Sequence, residues 1–586
     1  MYDREGNLVR QREYSVQKTQ NQICIEAYQN LRRIRSQGNP AFVALKASAG
    51  SGKSLIALNI AKEYEKVAIV VPKKNLQNQY LDDYYGENAK FKIMKNGREM
   101  RIATKKGRTN FECPYYPGHD CDNDALPCKI KTNDTRKNVA IECPYWSPLL
   151  PREDYLSYEE VEYILDYKSI NNATWYYYKR GECPYYNQHE EIAEADVVIY
   201  NSKIFEIDYY AGKLPQYDLV IIDEADYWLD ELKREHEFNL KKMEEVLNKK
   251  GDKISNKNRQ ALTDQLQIMR DKLETMELNE PQLIREEVRD FLDVVKREEF
   301  SEVKGIKSHA NEAQVLSCFP DEILYYVKTE EGFKTFVLEV SAVLKSMMNY
   351  LPEMIGMSYT FQDYRVMDGV FGLKSNEIGM VTAEELRGTI NQCKIGSEID
   401  CSSKVLKDWE NKKKYFDILK NVVKACKGQT LFHIIAYSDI PKYEYGNGKL
   451  PSLDKIREKI QSDNNGTMLQ AFKMKQEQIL FSTKDMRGTD LPDDLCENVI
   501  FSKLPYPYFG DPFFKALRDK SKALFWLYYQ DKMQRELWQG LTRGLRSPSD
   551  SVNIWSPDSR VHTTIQMSRN KFAGITTINQ RSVISN

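Results

Sequence analysis

The sequence lacks several features that would place it in a special class of protein. Its 85 basic and 86 acidic residues leave a net charge of -1, so overall charge neither indicates nor excludes a nucleic-acid partner. It has no apolar run of membrane-spanning length and no charged-then-apolar signal segment at its N-terminus. It also has no internal repeats. With 586 residues, these absences predict a cytoplasmic protein of several ordinary domains that does not act on a membrane.

Closely paired cysteines are also missing. None of the 11 cysteines forms a CxxC pair, the spacing that zinc ribbons favour. Five of them are nevertheless concentrated in one segment, at Cys113, Cys121, Cys128, Cys143 and Cys183. In a reducing cytoplasm this concentration favours a metal site or a catalytic role over disulfides. Irregularly spaced thiolates can hold zinc or an iron–sulfur cluster, and these wide spacings fit a cluster at least as well as zinc.

What the sequence does contain begins with a glycine-bearing loop at residues 47–54, Ala-Ser-Ala-Gly-Ser-Gly-Lys-Ser. A predicted buried strand precedes it and a predicted helix follows it, which is the context that a phosphate-binding loop requires. The unpaired N–H groups and the dipole at a helix start attract phosphate. We expect Gly50 and Gly52 to allow close backbone approach, Lys53 to reach the β- and γ-phosphates, and Ser54 to hold Mg²⁺.

The residues around this loop predict a parallel α/β domain. Residues 14–35 predict an amphipathic helix with Gln17 and Gln20 near its start. A glutamine just upstream of a phosphate loop can read the edge of adenine, but each is equally compatible with an exposed helix position. Residues 66–72 predict a second strand and residues 75–84 a second helix, which completes a βαβ unit.

An acidic motif follows the cysteine segment. Residues 196–200 and 218–223 predict two more strands, and the second ends in Asp223-Glu224-Ala225-Asp226. A carboxylate at the carboxyl end of a strand beside a phosphate loop faces the ligand crevice. We therefore expect Asp223 to hold Mg²⁺ through water and Glu224 to polarise the attacking water.

Two other stretches have less specific meanings. Residues 90–108 contain eight basic residues against Glu99 alone, which fits either a solvated face or contact with a phosphate backbone. Residues 229–345 are charged, with few strand signals and with apolar residues at helical spacing. A turn at residues 279–281, with Pro281 placed to start the second helix, predicts an antiparallel helical hairpin whose simplest role is scaffolding.

A second α/β pattern follows residue 400. Its candidate strands are residues 429–435, 478–481 and 498–501. Residues 515–543 predict a helical stretch, which leads into Gln-Gly-Leu-Thr-Arg-Gly-Leu-Arg at residues 539–546. Arginine suits a γ-phosphate approached from across a cleft, although a pair such as Arg543 and Arg546 is also common as surface charge.

In this order the motifs resemble those of superfamily 2 helicases of the XPD/DinG type, which carry an iron–sulfur domain. The resemblance covers nearly the whole chain. Residues 107–113 and 183–201 resemble the start and the end of the family's cluster domain. The other matches are motif I at residues 47–54, motif Ia at 71–79, motif II at 223–226, motif III at 357–360, motif V at 482–490 and motif VI at 539–546.

The resemblance implies an α/β fold with two RecA-like motor domains, an inserted iron–sulfur domain and an inserted helical arch domain. The predicted divisions are motor domain 1 at residues 1–106, 191–228 and 346–400, the iron–sulfur domain at 107–190, the arch at 229–345 and motor domain 2 at 401–586. The implied nucleotide contacts are Ala47, Gly50, Ser51, Gly52, Lys53, Ser54 and Asp490, in addition to Gln17 and Gln20. The implied catalytic residues are Lys53, Asp223, Glu224, Gln539, Arg543 and Arg546, with Ser54 and Asp223 on Mg²⁺. The implied cluster ligands are Cys113, Cys128, Cys143 and Cys183, with Cys121 as the spare thiol.

The implied function is ATP-driven 5′→3′ movement on single-stranded DNA and unwinding of forked DNA by a monomeric motor with a structural 4Fe-4S cluster. Its location would be the cytoplasm, the nucleoid or the cytosol of a host. Four residues depart from the family pattern: Asp226 replaces a histidine, Tyr359 an alanine, Arg487 a glutamate and Thr542 a glycine. The changes in motifs III and V motivate an alternative, a DNA-stimulated ATPase that remodels or clamps nucleoprotein without processive unwinding.

Overall fold

The computed structural model describes most of the chain. The described residues are 2–3, 18–47, 51–72, 74–86, 88–123, 126, 128, 143–151, 162–250, 254–383, 388–446, 450–461, 467–483, 491, 495–545, 549–567 and 575–579. None of the helices in these ranges combines the length and the apolar character needed to cross a membrane.

The first of two large sheets has seven strands, and every neighbouring pair runs parallel. In spatial order its strands are Ile378–Thr382, Ala41–Lys46, Glu353–Ser358, Leu219–Asp223, Val67–Val71, Val197–Asn201 and Ile102–Lys105. Alternate residues of Val67–Val71 join two different apolar clusters, one on each face of the sheet. A strand buried on both faces needs a continuous apolar run, which is why these strands could be predicted from the sequence.

The second large sheet has six parallel strands. In spatial order they are Ile479–Ser482, Thr430–His433, Asn498–Phe501, Ser551–Trp555, Thr389–Lys394 and Ile575–Asn579. The strands predicted at 429–435, 478–481 and 498–501 are confirmed, and with them the two-sheet α/β fold.

The chain passes from the first sheet to the second between Thr382 and Thr389. Thr389–Lys394 pairs with both Ser551–Trp555 and Ile575–Asn579, so it belongs to the second sheet. The predicted boundary at residue 400 is therefore wrong. The strand reads Thr-Ile-Asn-Gln-Cys-Lys, and its mixture of polar and apolar residues gives no continuous apolar run.

Helices accompany both sheets. Those in the segments of the first sheet are Gln20–Arg35, Lys53–Ala61, Lys74–Tyr84, Pro184–Glu194, Ser202–Tyr210, Ala225–Glu231 and Tyr364–Gly369. Those in the segments of the second are Trp409–Ala425, Leu453–Gln461, Thr467–Lys473, Pro512–Lys520, Lys522–Leu541 and Ser559–Met567. The helix predicted at 515–543 is thus two helices. They break at extended Ser521, whose hydroxyl accepts from the Leu524 N–H and caps the second helix.

The cysteine segment lies between two neighbouring strands of the first sheet, Ile102–Lys105 and Val197–Asn201. It contains a small antiparallel sheet whose strands, in spatial order, are Leu149–Pro151, Thr174–Lys179 and Glu162–Lys168. Short strands also precede it at Tyr2–Asp3, Phe91–Lys92, Met94–Lys95 and Arg98–Glu99. Single 3-10 turns occur at Arg108–Asn110, Glu298–Glu302, Asp321–Ile323, Tyr437–Asp439 and Thr542–Gly544.

The predicted arch contains the expected pair of helices. Asn256–Glu274 and Glu286–Val295 pack against each other through the apolar stripes that the sequence showed. The buried residues of these stripes are Leu262, Leu266, Met269 and Leu273 on the first helix and Val288, Phe291 and Val295 on the second. The neighbouring helices are Leu240–Lys250, Lys307–Leu316 and Val340–Tyr350.

The arch also contains an antiparallel sheet that the sequence did not predict. Its strands, in spatial order, are His236–Asn239, Gly332–Val337, Leu324–Lys328 and Gln282–Leu283. Pro281 therefore precedes a short strand, and the second helix of the pair begins only at Glu286. The predicted placement of Pro281 at the start of that helix is wrong.

Gly356 gives a stability prediction for the first sheet. A Cβ at this position would lie 2.7 Å from the Ala225 Cβ and 2.8 Å from the Phe42 Cζ, closer than carbon atoms can pack. Gly356→Ala is expected to destabilise this domain by about 1–3 kcal/mol through overpacking. The measurement is the shift of the first thermal unfolding transition. The control is Gly107→Ala, where the added Cβ would meet its nearest atom at 3.8 Å, and an equal shift for both variants would contradict the packing argument.

Candidate active site

The phosphate loop lies at the carboxyl edge of the first sheet. Strand Ala41–Lys46 leads into buried Ala47, whose N–H donates to the Ser358 carbonyl at 3.0 Å. Gly52 caps helix Lys53–Ala61 in the left-handed region, with φ at 84°. Glycine adopts that conformation without steric cost, so the predicted role of Gly52 has a backbone reason. Ser51, Lys53 and Ser54 adjoin it, whereas predicted Gly50 lies outside the described residues.

Of the two glutamines predicted to read adenine, Gln20 is placed beside this loop. It is the first residue of helix Gln20–Arg35, after Thr19, which forms a capping box with Gln22. The Gln20 Nε2 lies 3.0 Å from where a Cβ would stand on Gly52. Gln17 lies outside the described residues.

The predicted acidic residues face the phosphate loop. Asp223 ends strand Leu219–Asp223, and Glu224 follows in the left-handed region with φ at 52°. A non-glycine residue rarely adopts that conformation, and such strain is concentrated at functional sites. The Glu224 N–H donates to the Asp223 Oδ1 at 3.0 Å, and the Lys53 Nζ lies 3.9 Å from the Glu224 Oε1. Lys53, Asp223 and Glu224 therefore come together as predicted from their motifs.

The electrostatics of these carboxylates suit a bound cation. Burial raises the pKa of Asp223 to about 6, against the lowering effect of Lys53, and Glu224 raises it further. The Glu224 Oε2 is buried and has no hydrogen-bond partner among the described residues. A buried acceptor without a donor calls for an explanation such as an ion or a water molecule. Carboxylate oxygens of this kind, with the nearby Ser54 hydroxyl, fit Mg²⁺ chemically.

Sequence reasoning missed Tyr80, which lies close to this group. It projects from helix Lys74–Tyr84 and is almost fully buried. Burial raises the pKa of its hydroxyl well above the ordinary value, and the Asp223 carboxylate raises it further. A tyrosine in a predicted helix carries no signal in the sequence, because only the packing of that helix brings it to the site.

Motif III binds the last residue of motif II. The Ser358 Oγ donates to the Asp226 Oδ1 at 2.7 Å, and the Thr360 Oγ1 donates to the Asp226 Oδ2 at 3.0 Å. Asp226 is fully buried, and these two hydroxyls satisfy one oxygen each. The aspartate that departs from the family pattern is thus matched by hydroxyls that donate to it.

The same chain of bonds continues into the second sheet. The Gln539 Nε2 donates to the Thr360 Oγ1 at 2.8 Å, and the Arg543 Nη2 donates to the Gln539 Oε1 at 3.4 Å. Gln539 and Arg543 are buried near the end of helix Lys522–Leu541. Predicted Arg546 and Asp490 lie outside the described residues. Motifs II, III and VI are therefore linked across the two sheets.

Comparisons of sequence agree with this arrangement. The family profile described as "Helicase C-terminal domain" matches residues 419–573, and the one described as "Type III restriction enzyme, res subunit" matches residues 13–124. The ATP-dependent DNA helicase XPD of Sulfolobus acidocaldarius is 23% identical over 579 residues, covering 90% of this chain and 94% of that protein.

Comparisons of structure give the same fold. A solved XPD helicase matches with a TM-score of 0.59 at 18% identity, over 95% of this chain and 98% of the other. An apo XPD structure matches with a TM-score of 0.56 at 15% identity, over 94% and 99%. Xpd4 of S. tokodaii matches with a TM-score of 0.53 at 13% identity, over 95% and 100%.

These matches support an XPD-type helicase of superfamily 2. The resemblance predicted from the motifs is confirmed, and the helicase relatives and family profiles imply an ATP-hydrolysing enzyme.

The chain also has a buried ionic network between its two motors, which sequence reasoning missed. Arg535, on helix Lys522–Leu541, donates to Asp230 of the motif II helix at 2.9 Å and to Asp226 at 3.4 Å. The sequence contains the signal only as spacing, since Asp226 and Asp230 are four residues apart and so are Asp531 and Arg535. This spacing does not predict that helix Ala225–Glu231 packs against helix Lys522–Leu541.

The five clustered cysteines pack into two small neighbouring clusters. Cys143 and Cys183 lie in one, and Cys113 and Cys121 in the other, with Cys128 against both. Burial raises the pKa of Cys121 and of Cys143 to about 11 in each case. Within the described ranges there is no group of three or more His, Cys, Asp or Glu side chains arranged to hold a metal ion. The predicted cluster therefore stays a prediction.

Much of the predicted basic run at residues 90–108 is paired within the chain. The Lys95 Nζ, nearly fully buried, lies 3.0 Å from the Asp196 Oδ1, and Arg98 binds both oxygens of the same carboxylate. The other pairs are Lys90 with Asp83, Lys92 with Glu99 and Arg101 with Glu194. Neighbouring carboxylates therefore offset much of the positive charge of this run.

The end of the run instead faces a large cavity of about 540 Å³. Lys105 and Lys106 line it from the first motor and Arg108 from the start of the cysteine segment, and further residues of that segment and of the arch complete its wall. Burial lowers the pKa of Lys105 to about 8, with Asp208 opposing the shift. The Arg108 guanidinium stacks on the Tyr185 ring at 4.3 Å and donates to the Cys121 and Cys128 thiols at 3.5 Å.

The position of Glu224 gives a prediction about turnover. Glu224→Gln is expected to bind ATP while hydrolysis slows by about 10²-fold or more, because the amide keeps the side-chain shape but cannot take a proton from water. Fluorescent-nucleotide titration and steady-state ATPase assays measure the two quantities. The control is Glu231→Gln, at the far end of the helix that Glu224 precedes, and this variant should keep its turnover. Loss of ATP binding in Glu224→Gln would instead make Glu224 a structural residue.

Proposed function

We propose that this chain is an ATP-dependent DNA helicase that moves along single-stranded DNA and unwinds duplex. The observation that carries the proposal is the continuous set of contacts across the two sheets. It runs from Asp226 through Thr360 and Gln539 to Arg543. Such a set links the nucleotide side of one motor to an arginine of the other, so hydrolysis can change how the motors sit together.

The residues of the first motor would bind and orient the nucleotide. The loop at Gly52 and the start of the following helix would bind the phosphates, with Lys53 on the β- and γ-phosphates. Ser54 and Asp223 would hold Mg²⁺, which when bound neutralises phosphate charge. Glu224 would orient the attacking water and accept its proton. From the second motor, Arg543 would stabilise charge on the transferred phosphoryl group.

The large cavity supports a path for single-stranded DNA. Its wall combines the cations of Lys106 and Arg108 with the rings of Trp146 and Tyr185, and Lys307 of the arch completes it. Non-specific single-strand binding uses this combination, since cations contact phosphates and aromatic rings stack on bases. The 5′→3′ direction, the forked substrate and the monomeric motor follow from the family resemblance alone.

The proposed 4Fe-4S cluster is supported by the chemistry of the cysteine segment. Four of its five thiols are less than a tenth exposed, namely those of Cys113, Cys121, Cys143 and Cys183. The two small clusters around them contain few aliphatic side chains, so the segment has little core of its own. Cys113, Cys128, Cys143 and Cys183 would hold the cluster, which when bound supplies folding free energy to this segment.

A strand-displacement assay tests the helicase proposal. Wild-type protein is expected to unwind forked DNA with a 5′ tail and to hydrolyse ATP faster when single-stranded DNA is present. Lys53→Ala should do neither, because it lacks the ammonium that contacts the phosphates. DNA-stimulated hydrolysis without displacement would favour the alternative, an ATPase that remodels or clamps nucleoprotein. Hydrolysis that DNA does not stimulate would contradict both.

The five single Cys→Ser variants, purified anaerobically, test the cluster. Variants of Cys113, Cys128, Cys143 and Cys183 should contain little iron and lose unwinding, while basal ATP hydrolysis largely survives on the separate cores of the motors. Hydrogen exchange should rise in the cysteine segment of those four only, because the segment needs its metal centre to fold. Cys121→Ser should resemble wild type. Zinc in place of iron, or full unwinding by iron-free protein, would contradict the assignment.

A further inference from the structure

Arg535 of the second motor forms several bonds to the first motor. Its Nη2 lies 2.9 Å from the Asp230 Oδ1, and its Nη1 lies 3.4 Å from the Asp226 Oδ2. Its side chain is 3% exposed, and those of Asp226 and Asp230 are 0% and 1% exposed. One guanidinium of the second motor thus binds two carboxylates on the motif II helix of the first, away from water.

Neighbouring groups complete the network on both sides. The Tyr528 hydroxyl and the Lys532 Nζ also donate to Asp230, at 2.9 and 3.0 Å. The Arg535 Nε donates to the Asp531 Oδ2 at 2.8 Å, and the other oxygen of Asp531 accepts the Asp363 N–H at 2.7 Å. Asp363 lies just after motif III, so both sides of the interface contribute to fixing this arginine.

The charges of this network depend on the arginine. The network contains three buried carboxylates and only two cations. The carboxylates are those of Asp226, Asp230 and Asp531, and the cations are Lys532 and Arg535. Burial alone would raise the pKa of Asp230, but Arg535 and Lys532 outweigh it and hold the pKa well below its usual range. Removing one member of a buried ion pair leaves an uncompensated charge, which is far more costly than losing an exposed pair.

We propose that Arg535 is a positioning residue, which holds the motors in register for hydrolysis by binding motif II directly from the second motor. Asp226 lies two residues after Glu224 and one bond from Thr360, so fixing Asp226 fixes both the carboxylate that orients water and the chain leading to Arg543. A histidine at position 226 would offer Arg535 no carboxylate there. The departure of motif II from the family pattern and this arginine therefore act as a pair. The inference rests on the proposed function, since it concerns the same hydrolysis.

Arg535→Gln tests this role through the separation of kcat from KM. The DNA-stimulated kcat is expected to fall by about tenfold or more, while the KM for ATP changes by less than about twofold, because the phosphate-binding residues lie on the first motor. Arg535→Lys keeps the charge but loses the planar guanidinium that reaches two carboxylates. Its kcat should therefore lie between those of the wild type and of Arg535→Gln. The control is Arg365→Gln, which breaks an exposed arginine–aspartate pair near the same interface and should leave kcat unchanged.

A double variant separates positioning from stability. Asp230→Asn combined with Arg535→Gln has the same net charge in the network as wild type, so its melting temperature should recover from that of Arg535→Gln. The kcat of the double variant should stay low, because the bond from Arg535 of the second motor to Asp226 is still missing.

Two results would overturn the inference. One is a double variant that recovers wild-type kcat together with its melting temperature, which would make Arg535 merely structural. The other is Arg535→Gln with unchanged DNA-stimulated kcat. In both cases the wild-type enzyme remains DNA-stimulated, so the proposed function stands. Wild-type protein whose hydrolysis does not respond to DNA would contradict the proposed function itself.

Discussion

The structure depends on how buried carboxylates at one edge of the first sheet are compensated. Asp223 ends strand Leu219–Asp223, Asp226 and Asp230 lie in the helix that follows it, and each of the three is less than a tenth exposed. The ordinary means of stabilising such charges are opposite charges and hydrogen-bond donors. Here the charge of Lys53 acts on Asp223, and the donors to Asp226 and Asp230 come from motif III and from the second motor. The active site and the contact between the motors are therefore two parts of one electrostatic arrangement.

Much of this arrangement could be predicted, and the reasons are physical. Strands buried on both faces need continuous apolar runs, so Val67–Val71 and Leu219–Asp223 were visible in the sequence, and the loop and acidic motif follow such strands. Short strands such as His236–Asn239 carry no such run, so the sheet of the arch was missed. Arg535 was missed because its carboxylate partner lies on a helix some 300 residues away in the chain, and the sequence does not show that the two helices pack together.

The cysteine segment shows the limit of composition as evidence. The concentration of thiols predicted a metal site, and the structure places all five thiols in two adjoining clusters. Spacing could not say which of them lie nearest to one another. It also could not show that Arg108, at the end of a basic run, contacts two of the thiols. The basic run itself had an unexpected outcome, since neighbouring acidic residues neutralise much of it.

Both insertions interrupt connections between strands that are already neighbours in the first sheet. The cysteine segment separates Ile102–Lys105 from Val197–Asn201, and the arch separates Leu219–Asp223 from Glu353–Ser358. Because all these strands run parallel, each excursion leaves from the carboxyl edge, the same edge that carries the phosphate loop. One edge of the sheet thus carries both the phosphate loop and the starting points of the two insertions. A displacement of that edge would therefore move the starting points of the cysteine segment and of the arch together.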